Sequence, residues 1–332
     1  MKIGVNSAID DKVCQYYDLF YDILPTPDGD EQSRLLYPRH GIQKFGEETS
    51  RACRFCNQKE PEVSFKKIAH AFPESIGNNV FASNYECDSC NQFFGNTIEN
   101  DYAKFFNLYH SIMQIDGKSG VPKCCYKIPC NMRTDSCTKN CVEISYDHNQ
   151  PTIRKCKEVD NKYIALSDNS ITLSSPVGKC CPIAVFKAIV KMAITVMPVE
   201  ELSPFAKTIE WILEDEHHNF YDNGKLLVRY KMIPGFNVTK CPHYCLYRRK
   251  NTVSDKPYML FHLTYGCFSL FVEIPSFSDK SNHNNFEYMP FPPIPFYTAS
   301  EGTWDLSGTE SPKDALHSIT LNFDTVQECS KI

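Results

Sequence analysis

The strongest periodicity in the chain lies at 88–106. In DSCNQFFGNTIENDYAKFF the apolar residues Phe94, Ile98, Tyr102 and Phe106 recur every four positions, the spacing of one helical face. Asp88 or Ser89 is placed to cap that helix at its N-terminus. Residues 182–213 predict a second helical region, broken at Met197-Pro198 and resumed through EELSPFAKTIEWIL. Beyond Lys225 the pattern becomes strands: KLLVRYKMI, HYCLYRRK, YMLFHLTY and CFSLFVEI, the last two meeting at Tyr265-Gly266 as an antiparallel hairpin. Shorter strand-like runs, YIALS and ITLSS, lie between turns in 111–180. The turn-rich acidic PTPDGDE (25–31) and the proline-rich FPPIPFY (291–297) read as loops. No repeat and no long low-complexity tract is present.

Composition sharpens this picture. At 332 residues the chain can hold two domains, or one with a large extension, and 42% apolar residues are ample for a buried core. The most apolar run, Ile183 to Met197, is interrupted by Lys187 and Lys191 and is shorter than the ~20 residues that span a bilayer. The first twenty residues carry an early Asp-Asp and no secretory pattern, so the expectation is a soluble, cytoplasmic protein without membrane contact. Seventeen cysteines then read as reduced thiols, some of them bound to metal. A formal net charge of −5 argues against coating nucleic acid by bulk charge, although a local basic groove stays open.

Candidate chemistry concentrates at 53–91. Two C-x2-C pairs, Cys53/Cys56 and Cys87/Cys90, stand thirty residues apart. Each pair can present two thiolates from a tight turn, and together they complete a tetrahedral sulphur shell for zinc. Such a closed shell has no open coordination position, so this zinc is expected to be structural. The gap between the pairs holds AHAFPESIGNN (69–79), with a histidine, a carboxylate and two asparagines. The fold class is thus α+β: a small zinc module followed by a larger α+β part with antiparallel strands.

CRFC, AHAFPESIGNN and ECDSCNQFFG, in that order, resemble the HNH endonuclease family, in the branch whose ββα-metal motif is stapled by a four-cysteine zinc. The resemblance covers about 51–106. It implies that His70 is the general base, that Asn78 or Asn79 supports the loop and orients it, and that Asn91 holds a catalytic magnesium or manganese ion. Ala69 stands where many members carry a further ligand, so Glu74, Asp88, Glu99 or a backbone carbonyl is the candidate substitute, and spacing alone does not choose among them. The chemistry is coherent. Hydrolysis of an anionic phosphodiester needs a deprotonated water and a cation to neutralise the leaving oxygen, and a neutral imidazole can take the proton near neutral pH. A helix N-terminus would add its positive dipole end.

Taken alone, His70 reads as a packed histidine donating to a backbone carbonyl, Asn91 can cap a turn after the knuckle, and Gly-Asn-Asn is an ordinary turn; it is the order of the pieces that points to the site.

Outside this block, residues 225–250 contain seven Lys or Arg and no Asp or Glu, with tyrosines interleaved. Lys225, Arg229, Lys231, Arg248, Arg249 and Lys250 form a candidate track for a phosphate backbone, as do Lys118 and Lys123 in GKSGVPK; a solvated sheet face is the alternative. Neither Cys124, Cys125, Cys130, Cys137 and Cys141 nor CPHYC (241–245) has a diagnostic second-zinc spacing.

The expected organisation is an N-terminal segment (1–50), a nuclease module (51–110) and a regulatory, DNA-binding or assembly part (111–332). By resemblance the partners are DNA and a sensor protein or a second copy of the chain, in a regulated effector of prokaryotic defence against phage or plasmids. The alternatives are a non-catalytic zinc module that binds nucleic acid or protein, or an RNase.

Overall fold

The structure is a computed structural model. It describes residues 7–24, 42–49, 51–122, 142–147, 150–155, 164–166, 170–222, 224–233, 239–253, 255–277, 279, 283–294, 300–311 and 315–322. Lys123, Cys124, Cys125, Cys130, Cys137, Cys141 and the 25–31 loop lie outside these residues.

The architecture is mixed α+β with antiparallel sheet. In chain order the first elements are α1 (Ser7–Phe20), β1 (Tyr21–Ile23), β2 (Gln43–Phe45), β3 (Ala69–His70), β4 (Phe81–Ser83), α2 (Asp88–Asn96) and α3 (Ile98–Ile112). There follow β5 (Val142–Asp147), β6 (Gln150–Lys155), β7 (Ile164–Leu166), β8 (Ser170–Pro176), α4 (Pro182–Val196) and α5 (Ala206–Leu213). The chain closes with β9 (Leu227–Met232), β10 (Thr239–Arg249), β11 (Met259–Gly266), β12 (Phe268–Glu273), β13 (Ser300–Asp305) and β14 (Leu316–Asn322).

A six-stranded antiparallel sheet, ordered β1-β10-β11-β12-β9-β13, forms the backbone of the larger part. The expected β11–β12 hairpin pairs Tyr265 with Phe268. Gly266 turns it at φ +54°, where a Cβ would fall 2.4 Å from Ile115 Cδ1. That approach presses the end of the α3 region onto the sheet, and only glycine leaves room for it.

One face of the sheet packs into a core that also takes in α3, α4 and the cysteine block, running without interruption from Leu24 to Ile319. The other face carries Tyr247, Leu260 and Phe271 against Tyr17, Tyr21, Phe286 and Phe291 from α1 and the 283–294 segment.

Helix α4 is the spine of the main core. Proline at its first position fits the helical φ and needs no amide partner, and Met197-Pro198 ends it. All fifteen of its residues are buried, lysines included. No helix among the described residues is long and apolar enough to cross a membrane.

The expected helix over 88–106 is present but breaks at Thr97, whose φ/ψ of −113°/−98° is non-helical. Gly95 and Asn96 are weak helix formers, and the Thr97 hydroxyl turns back to donate to the Phe93 carbonyl at 2.7 Å. The helix resumes at once, so Phe94, Ile98, Tyr102 and Phe106 all still reach the core.

Of three buried histidines among the described residues, His317 is lowered by burial to about 4, and His110 and His262 are lowered further. Tyr102 donates its hydroxyl to Tyr265 (2.8 Å), which bonds His110 Nε2 (3.1 Å), while His262 Nε2 meets Ser269 Oγ at 2.6 Å. Burial pushes both imidazoles down to about 3, with Lys231 adding to the effect on His262. Each therefore stabilises the fold fully above the unfolded histidine value near 6.5 and progressively less as pH falls toward 3. Each costs up to about 1.4 kcal/mol per pH unit across that window. We expect the urea midpoint to fall steadily between pH 6.5 and pH 4.5; a flat profile there contradicts the buried, neutral assignment.

Candidate active site

The four cysteines converge. The Sγ atoms of Cys53, Cys56, Cys87 and Cys90 all lie within 4.8 Å of one another, and Cys56 and Cys87 are 3.8 Å apart. Four sulphurs at about 2.3 Å from a tetrahedral zinc stand about 3.8 Å from each other, so the donor set and its spacing fit zinc. The hydrogen bond from Cys90 pulls the Cys53 thiol down to about 5 against burial, while the same contact and burial push Cys90 up. Buried sulphurs this close cannot all ionise without a cation among them. Among the described residues no other group of three or more potential ligands gathers this way, so CPHYC does not form one.

On this frame sits a strand–strand–helix unit. Strand β3 pairs antiparallel with β4, His70 opposite Ala82, and the chain then passes through Cys87 into α2. The connection between the strands is a turn held from inside. Asn78, 2% exposed, donates to the carbonyls of Phe72 (2.7 Å) and Phe81 (2.9 Å) and accepts from the amides of Val80 (3.2 Å) and Phe81 (2.9 Å). Gly77 precedes it at φ +79° and closes the Glu74–Ile76 turn. Asn79 is exposed.

The sequence left two asparagines open for loop support; the geometry favours Asn78. Replacing it by alanine strands up to three buried backbone groups, since the Phe81 carbonyl keeps the Ala71 amide at 3.1 Å, at about 1–3 kcal/mol each where water cannot reach. We expect Asn78→Ala to lower stability by at least about 2 kcal/mol in urea unfolding, with Asn79→Ala near neutral.

His70 closes β3 at 28% side-chain exposure. Its Nδ1 is buried and has no hydrogen-bond partner among the described residues. Nε2 is the outward nitrogen and lies 3.9 Å from Glu74 Oε1. Glu74 in turn stands 3.7 Å from the exposed ammonium of Lys118, which the tight Gly117–Gly120 turn carries. Asn91 lies one residue past Cys90 in α2, half-buried, its side chain unbonded among the described residues.

Two other ligand candidates are otherwise engaged. Asp88 accepts from Ser64 Oγ (2.6 Å) and from the amides of Lys66 (3.0 Å) and Lys67 (2.8 Å), which ties down the approach to β3. Burial works against its charge but is outweighed by these bonds, which hold the carboxyl below its usual range. Its side chain makes no cap bond for α2. Glu99 pairs with Lys191 of α4 at 3.0 Å. Lys191 also meets Glu86, just before Cys87, at 2.8 Å. Burial opposes the Lys191 charge, yet the two carboxylates outweigh it and raise the ammonium above its usual value. Burial also pushes Glu86 up to about 7. Of the candidate oxygen donors, Glu74 and Asn91 are the ones whose side chains make no hydrogen bond among the described residues, Glu74 having its long contacts to His70 and Lys118.

The basic stretch does not form one strip. Strands β9 and β10 are separated by β11 and β12, about 14 Å across three strand spacings. Most of its cations are turned to internal partners. Arg229 donates to the carbonyls of Phe286 and Met289, and Lys250 to that of Asp18. Arg248 pairs with Glu201 (2.6 Å) and Asp22 (2.9 Å), Arg249 with Asp279 (2.9 Å), and Lys231 with Glu301 (3.8 Å). Lys225 is exposed at the rim of a cavity of about 200 Å³. The local excess of positive charge in the sequence is met by acids distant in the chain.

Sequence reasoning missed Lys191, Glu86 and Arg54. Arg54, inside the first C-x2-C pair, donates to the carbonyls of Ile194, Thr195 and Met197 and so caps α4. These links join segments more than a hundred residues apart, and no local pattern signals them.

No curated protein and no solved structure matches the chain. Residues 53–107, which carry the four clustered cysteines, His70, Asn78 and Asn91, match the model of the HNH endonuclease family.

Proposed function

We propose that the 53–107 module is a metal-dependent endonuclease acting on DNA, with His70 as general base. The carrying observation is an imidazole whose inner nitrogen is buried and whose outer nitrogen opens to solvent beside Glu74, on a hairpin fixed by Asn78 and by the cysteine shell. In this reading Nε2 takes a proton from a water as that water's oxygen forms a bond to phosphorus and the bond to the leaving oxygen breaks. Glu74 and Asn91 would hold the divalent cation, magnesium or manganese, which when bound supplies charge neutralisation at the leaving oxygen. Asn78 keeps the base at its place on the strand, and Asp88 fixes the segment that leads into it. Lys118, near Glu74, is the exposed cation best placed to meet a phosphate.

The test is nicking of supercoiled plasmid by zinc-loaded protein. Cleavage should appear with magnesium or manganese and be absent without added divalent cation. RNA digested in parallel decides the substrate: RNA cut and DNA left intact overturns the DNA assignment, and no cut in either overturns the enzyme.

A further inference from the structure

Behind His70 lies an ammonium that the proposed chemistry does not use. Lys191 is in the middle of α4, outside the 53–107 segment, with 0% of its side chain exposed. Its Nζ lies 2.8 Å from Glu86 Oε2 and 3.0 Å from Glu99 Oε1, and it donates to the backbone carbonyl of His70 at 3.4 Å. Two of these contacts are hydrogen bonds, to the strand that carries the histidine and to the first turn of α3, and the third is a charge contact with the residue before Cys87. Burying a lysine costs several kcal/mol before its partners repay it, and a methionine of similar length would pack as well. The charge therefore does something that packing does not require. The partnership is mutual, because Arg54 from the cysteine block caps the C-terminus of the same helix.

We propose that Lys191 is a positioning residue for the His70 base: it fixes the carbonyl of His70, and with it the direction in which the imidazole leaves β3, relative to the zinc shell and α3. This rests on the function proposed above. The nuclease module then borrows part of its site from the larger portion of the chain, and the two share α4 as a rigid link.

The experiment compares zinc-loaded parent protein with Lys191→Met/Glu86→Gln, which removes one buried charge of each sign, and with Lys191→Arg, which keeps donors but displaces them. Zinc content, melting temperature, the ring signals of His70 in protein with ¹⁵N-labelled histidine, and kcat and KM on plasmid are measured for each. Folded, zinc-loaded variants are expected to show displaced His70 ring signals and a kcat at least about tenfold lower, with KM little changed. A folded variant whose ring signals and kcat match the parent overturns the proposal. Loss of fold and zinc in both variants overturns it too, since Lys191 is then a structural residue only. If the parent cleaves nothing, the enzymatic reading fails by itself, and the His70 signals alone still decide whether Lys191 sets the ring.

Discussion

Replacing His70 by alanine is expected to lower cleavage by about 10²–10⁴-fold, the usual share of a positioned acid–base group, while fold and zinc survive. The structure explains why the two effects should separate. The imidazole is partly exposed, its Nδ1 is unbonded among the described residues, and its contact with Glu74 is long. A surface pair of that kind contributes about 0–1 kcal/mol. The residue's structural work is done by its backbone, which pairs with Ala82 and accepts from Lys191. Alanine keeps that backbone and stands between Ala69 and Ala71, both buried. Circular dichroism, zinc content and plasmid nicking on the same preparation check the prediction. Cleavage by His70→Ala at the parent rate would remove His70 from the chemistry and leave Glu74 as the group to test next.

Legibility from sequence followed the range of the interaction. The four-cysteine cluster could be read because its pairing is local, two turns with fixed spacing, and the structure brings all four sulphurs together in a set that fits zinc. The helical face through Phe94 and Phe106 could be read because periodicity survives a one-residue break, and the break itself was missed because Gly95-Asn96-Thr97 only weakens a helix. The α4 boundary and the β11–β12 hairpin followed from proline and glycine chemistry. What could not be read was the partner of each charge. Asp88 looked free to cap or to bind metal, yet its oxygens are taken by a loop more than twenty residues upstream. The cations of 225–250 looked like a track, but strand order parts them and distant acids such as Asp22, Glu201 and Asp279 meet them. Lys187 and Lys191 looked like interruptions of an apolar run, and both are wholly buried.

The second large effect is expected from the metal. Removing zinc with a chelator, or one ligand by Cys87→Ser, should unfold the 53–107 segment and lower the melting temperature of the whole chain. The elements that carry the site are too short to stand alone: β3 has two residues, β4 three and α2 nine. Nine-residue helices are marginal in water, and so is an isolated two-stranded hairpin. Zinc bound by four thiolates contributes roughly 10–16 kcal/mol in small modules, more than the whole stability of many domains. Here the loss should not stay local. Cys53, Cys87 and Cys90 belong to the same core as α3 and α4, the aromatic pair Phe55–Phe94 (4.8 Å between centroids) packs in it beside them, and Arg54 caps α4 from within the knuckle. Once the knuckle opens, the buried Lys191 loses its 2.8 Å contact with Glu86 and its hydrogen bond to the His70 carbonyl and keeps Glu99 as its partner. Calorimetry should therefore show one transition moving down as zinc is stripped and returning when zinc is restored. A Cys87→Ser protein that melts and cleaves like the parent would show instead that the sulphur cluster is packing, not a metal centre.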